Sequence, residues 1–187
     1  MNKLYKLTAI AIIGLGSALS AQATSTGTIT FNGELTDSTC DVSVNGQGSD
    51  ANITLPTVSI NELTTAGKTT GRTAFNLQLT DCVPGTSGGQ SKVSAFFQTG
   101  ATVDQSTGRL KNTDTAGATM VDLQLLDASN SDAVINVGST DQVSDMTYTD
   151  INADGTATLP YAVEYYANGQ TTAGKVASSV VYNLQYK

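Results

Sequence analysis

Residues 159–187 read LPYAVEYYANGQTTAGKVASSVVYNLQYK, and two alternations run through them. Leu159, Tyr161, Val163 and Tyr165 fall on one side of an extended chain. After the turn signal Asn168-Gly169, a second row begins: Val176, Ser178, Val180, Tyr182, Leu184 and Tyr186, patterned almost to the last residue. Side chains two apart share one face of a strand, and Val, Thr and Tyr suit a half-buried pleated surface. Working outward, the same period recurs at Cys40, Val42 and Val44, at Ile53 and Leu55 before Pro56, and at Val58 and Ile60 after it. It returns at Phe75, Leu77 and Leu79, at Val93, Ala95 and Phe97, and at Val121, Leu123 and Leu125. Turn residues separate these runs at Asn45-Gly46-Gln47-Gly48, from Gly85 to Gly89, and at Gly108, Asn130 and Asp154-Gly155. Seven or so short strands so punctuated predict an all-β fold, a sandwich of antiparallel sheets. Glu62–Gly67 fits a single helical turn. The chain shows no internal repeat, linker or second domain.

The first residues read as a processing signal. Lys3 and Lys6 precede an apolar run from Leu7 to Leu19, and Ala21-Gln22-Ala23 offers the small-x-small pattern that a signal peptidase cleaves. As a helix the run would cover roughly 20 Å of a ~30 Å hydrocarbon core, too little to span it. A signal peptide over 1–23 is expected, with Thr24–Lys187 exported. Export to an oxidising compartment makes Cys40 and Cys82, the two cysteines of the chain, a disulfide. It closes a loop of about 40 residues, worth ~4 kcal/mol in the chain-entropy view. A metal or redox pair lacks CxxC spacing and any histidine.

The formal charge is −7, and removing Lys3 and Lys6 makes it two units more negative. The remaining basic residues are scattered singly from Lys68 to Lys187, so no stripe follows a phosphate backbone, and nucleic acid is not an expected partner. Without histidine the usual general base is missing, and the sixteen acids read as surface charge, so no enzyme activity or catalytic residue is expected. Asp150-x-Asn152-x-Asp154-Gly155 opens like a calcium loop. Its twelfth position, however, is Tyr161 where a bidentate Glu is needed, and an Asp-Gly turn explains the same residues. Neither metal nor cofactor is expected. Asn52-Ile53-Thr54 matches the short glycosylation pattern, to which no weight attaches. A sugar-binding monomer of this fold is an alternative, but the chain lacks Trp and is only 6% aromatic.

At the N-terminal end, Ile29, Phe31, Gly33 and Leu35 alternate with Thr28, Thr30, Asn32 and Glu34. Alternation alone leaves open whose sheet this piece joins: it is either the first internal strand or a segment meant for another molecule.

These stretches together resemble a family. Gly27 to Leu35 followed by Cys40 is similar to the N-terminal extension and first strand of chaperone–usher fimbrial major subunits of the type 1 pilus kind. Phe75-x-Leu77-x-Leu79-x-x-Cys82 resembles their second-cysteine strand. Val121-x-Leu123-x-Leu125-Leu126-Asp127, with Ile135-x-Val137-Gly138, resembles their middle segment. Leu159 to Tyr165, Ala173-Gly174-x-Val176 and the penultimate Tyr186 resemble their terminal signature, with Gly174 fourteenth from the end. The extension before Gly27 is shorter than in some rod subunits, and Asn130 to Asp154 diverges.

The resemblance implies an incomplete immunoglobulin-like sandwich completed by a donor strand, with residues 24–35 as the N-terminal extension and 36–187 as the pilin domain. Ile29, Phe31, Gly33 and Leu35 would be the donor row. Gly174, Val176, Val180, Tyr182, Leu184 and Tyr186 would form the acceptor groove and the edge that a chaperone pairs with, opposite the strand after Cys40. The implied partners are identical pilus subunits, a periplasmic chaperone and an outer-membrane usher. The implied role is a structural subunit of a surface fimbrium supporting adhesion; a minor or adaptor position in the fibre is the alternative.

Overall fold

The computed structural model describes residues 27–33, 35, 39–83 and 90–187; the expected signal peptide lies outside them. The chain falls into two compact units, Met1–Glu34 and Leu35–Lys187. In the first, residues 27–33 carry no strand, and Ile29 and Phe31 are 78% and 88% exposed.

The second unit is built from strands in which apolar and polar side chains alternate. They are β1 (Thr39–Val44), β2 (Thr69–Val83), β3 (Lys92–Phe97), β4 (Val103–Asp104), β5 (Arg109–Lys111), β6 (Val121–Asp127), β7 (Ala133–Ile135), β8 (Thr149–Asp150), β9 (Ala157–Ala167) and β10 (Tyr182–Tyr186). The larger sheet runs β1-β2-β9-β6-β5-β4, with β7 also on β6; the smaller runs β10-β3-β8. All pairings are antiparallel. In the larger sheet Phe75 lies opposite Tyr161 and Leu77 opposite Leu159, while Leu125 meets Val163. These inward rows pack with Val93, Ala95 and Phe97 of the smaller sheet in one buried cluster. Tyr161 ties the layers together: its ring meets Phe97 edge-on at 5.1 Å, and its hydroxyl accepts from the Ala95 amide. Two sheets sharing one core make the expected sandwich.

Several details differ from the sequence reading, each for a local reason. β2 begins at Thr69, well before Phe75. Gly71 at φ +68° lets the strand bulge between Thr70 and Thr73 and keep its ladder with β9. The helical turn falls at Ile60–Glu62, ahead of the expected span, because the Ser59 hydroxyl accepts from the Asn61 amide and starts it there. Strands β4, β5 and β8, each of two or three residues, are too short to show a period. Within the divergent stretch 130–154, a single helical turn, Gln142–Asp145, buries Gln142. That side chain donates to the Phe97 carbonyl and accepts from the Phe97 amide, capping the end of β3. Ile53, Leu55 and Val58 face the core as their alternation predicts, but no ladder includes them; Ile60, expected to continue the row, is 39% exposed because the helical turn begins with it.

Candidate functional site

Each sheet ends in a strand paired on one side only, β1 in the larger and β10 in the smaller. The two lie near one another, for the Tyr182 hydroxyl of β10 donates to the Ser49 carbonyl just beyond β1 at 2.9 Å. The disulfide between Cys40 and Cys82 joins β1 to the far end of β2.

The C-terminal stretch is paired along one side as far as its end. The carbonyls of Lys175, Ala177 and Val181 accept from the amides of Ala118, Thr113 and Gln98, and that of Ser179 from the Thr102 hydroxyl. Lys187 exchanges bonds with Lys92. On the C-terminal stretch itself, every residue bonded in this way is odd-numbered. Successive residues of an extended chain aim their backbone groups to opposite sides, so the even-numbered ones aim away from this partner. Among the described residues no backbone hydrogen bond reaches Val176, Ser178 or Val180, and β10 has no second neighbouring strand. The same even-numbered residues turn their side chains inward. Val176, Val180, Tyr182, Leu184 and Tyr186 rest on the core but stay only half-buried. An unpaired backbone edge therefore stands over an incompletely covered apolar row.

Gly174 starts this row for a steric reason. A Cβ there would lie 2.4 Å from the Ala118 nitrogen and 2.5 Å from the Gly117 carbonyl carbon. At the same end a cavity of about 450 Å³ opens between Val58, Leu63, Ala118, Val121, Tyr165 and Val176. The facing wall is the extended piece bearing Ala51, Ile53, Leu55 and Val58, half-buried and outside any ladder. Ser178, between Val176 and Val180, has a buried hydroxyl oxygen with no partner among the described residues.

The structure thus brings the six residues expected at the acceptor edge into one row, with Gly174 at its head. The expected donor residues are exposed: besides Ile29 and Phe31, Leu35 is 99% accessible, and Gly33 has no atom within 4 Å of where a Cβ would stand. Sequence reading missed Tyr165, Leu63, Ala118 and Val121 as lining residues. They come from the other sheet and a loop, so no pattern along the C-terminal strand could report them.

Burial raises the phenols of Tyr165, Tyr182 and Tyr186 above the ordinary value, with Asp50 adding to the rise at Tyr182 and the Cys40 backbone opposing it at Tyr186. All three remain hydrogen-bond donors at neutral pH. Of the acids that open like a calcium loop, Asp150 is bound by Lys92 at 2.7 Å, and Asp154 takes the amide and hydroxyl of Thr156 in a turn.

A model of the type-1 fimbrial protein A (FimA) family matches residues 55–187. The chain belongs to the type-1 fimbrial protein family. It is 43% identical to the major fimbrial subunit SMF-1 of Stenotrophomonas maltophilia over 92% of this chain and 99% of that one. It is 40% identical to the F17 fimbrial protein of Escherichia coli over 94% and 97%. In fold it superposes on the P pilus rod subunit PapA with a TM-score of 0.58, at 20% identity, covering 79% of this chain and 99% of PapA. A chain from a chaperone–usher pilus gives 0.58 at 22% identity, covering 88% and 98%. This member of the family is accordingly a structural, non-enzymatic subunit with the immunoglobulin-like sandwich of pilus subunits. It associates with other subunits in a fimbrium at the cell surface.

Proposed function

We propose that the subunit polymerises by strand donation: the segment carrying Ile29, Phe31, Gly33 and Leu35 of one copy enters the groove beside Val176–Tyr186 of the next. One observation carries this reading. The even-numbered backbone groups of that stretch lack partners directly above a half-covered apolar row, while the apolar side chains of residues 29–35 stand exposed. An added strand satisfies both: its main chain pairs with the free edge, and its alternate side chains cover the row. Gly33 leaves one place in the donor row without a side chain, suited to a site where two backbones approach closely.

A groove of this kind is an aggregation hazard when empty. The same edge therefore serves a periplasmic chaperone, which lends a strand until an outer-membrane usher brings the next subunit's extension to replace it. Residues 1–23 act as the signal peptide for this route, and the assembled fibre supports adhesion.

The test uses a synthetic peptide of residues 24–36 mixed with the exported chain. The expected result is slowed hydrogen exchange at the Val176, Ser178 and Val180 amides. Binding that leaves those three amides exchanging as before would place the donor elsewhere and overturn the reading.

A further inference from the structure

We propose that Tyr165 and Tyr182 are positioning residues whose hydroxyls hold the wall of the groove, residues 49–58, at the spacing an incoming strand requires; this rests on reading the groove as a strand acceptor. Every buried or half-buried stretch must find partners for its backbone groups. Residues 49–58 find almost none: among the described residues no backbone–backbone hydrogen bond includes any of them. The Gln47 side chain bonds both the amide and the carbonyl of Asn52, at 3.2 and 3.3 Å, but that link closes a local turn and does not reach across the groove. Two bonds do reach across. The Tyr182 hydroxyl donates to the Ser49 carbonyl at 2.9 Å, and the Tyr165 hydroxyl to the Pro56 carbonyl at 3.2 Å.

The arrangement has three physical consequences. One phenol comes from β10 in the smaller sheet and the other from β9 in the larger, so each sheet grips one end of the wall. The packing of Ala51, Ile53, Leu55 and Val58 on the core attracts without fixing direction, whereas two directional bonds seven residues apart fix both ends. Finally, a wall paired through its backbone on one side would keep only alternate groups for a newcomer and would take its position from that neighbour. Anchoring from below, through side chains rising from the floor, holds the wall and leaves its edge open.

Replacing each Tyr with Phe keeps the ring and removes only the hydroxyl. The experiment compares the exported chain with Tyr165→Phe, Tyr182→Phe and the double variant. It measures amide order parameters by NMR and the association rate of a peptide of residues 24–36. In the double variant, order parameters across 49–58 are expected to fall from the rigid value of about 0.85 toward 0.6, with β2 and β9 unchanged. Peptide association is expected to slow about five-fold for each hydroxyl lost, the equivalent of one hydrogen bond. Order parameters that stay at wild-type values overturn the proposal. So does a loosened wall that captures peptide at the wild-type rate. A wild-type chain that captures no peptide refutes strand acceptance itself, and the order parameters keep that failure distinct from loss of the anchors.

Discussion

Gly174 shows how narrow the tolerances are for a single residue at the head of the groove. With 2.4 Å between an added Cβ and the Ala118 nitrogen, Gly174→Ala must push apart two backbones that the bond from the Ala118 amide to the Lys175 carbonyl holds together. The expected loss is about 1–3 kcal/mol, the usual cost of overpacking, read as a lower denaturation midpoint at unchanged m-value. The tyrosines make a prediction in pH. Burial raises the phenols of Tyr161, Tyr165, Tyr182 and Tyr186 above the ordinary value of 10.0. A raised pKa means that the folded chain holds these protons more tightly than the unfolded one. The stabilisation is complete below pH 10 and is lost as pH climbs through the folded values. Denaturation curves should therefore superpose from pH 7 to 9 and weaken above pH 10. Tyr161→Phe should blunt that decline, since Tyr161 is the most buried of the four.

Among the elements, strands long enough to show a period were legible in the sequence, and those whose pairing depends on tertiary contacts were not. Phe75-Leu79, Val93-Phe97, Val121-Leu125 and Leu159-Tyr165 each lie where their alternation predicts, because both inner faces demand that pattern. The alternation at Ile53, Leu55 and Val58 reported burial correctly and pairing not at all, for a period of two records which side chains face the core and is silent on whether a neighbour strand exists. For the same reason the C-terminal row could be written down from sequence, whereas its free edge required knowing that Lys175, Ala177, Ser179 and Val181 all bond to one side. The Cys40–Cys82 link belongs at this scale too, since it fastens edge strand β1 to the end of β2. Cys40→Ser is expected to cost about 4 kcal/mol for the opened loop and to reduce the yield of exported protein. Intact-mass measurement on the native chain should show the mass two hydrogens lighter than the reduced form.

At the scale of the whole molecule, the proposed reading puts donor and acceptor on one chain, and that decides what kind of object the subunit can build. Two different surfaces that fit each other give head-to-tail contacts, which extend indefinitely unless the geometry closes a ring. A fibre follows directly from one exposed apolar segment and one unfilled groove. The prediction is that deleting Thr24–Glu34 separates the two functions. On the proposed reading the truncated subunit keeps its groove, so it should still be captured by a chaperone and still accept a peptide of residues 24–36. It has nothing to insert into a neighbour, so cells making it alone should show no fibres. In cells making both forms, mean fibre length should shorten roughly as the inverse of the truncated share, because each truncated copy halts growth wherever it is required to donate. Electron microscopy of sheared surface material reads this directly. Fibres of normal length from the truncated subunit would show that residues 24–34 are not what joins one copy to the next, and the row from Val176 to Tyr186 would then need a different occupant.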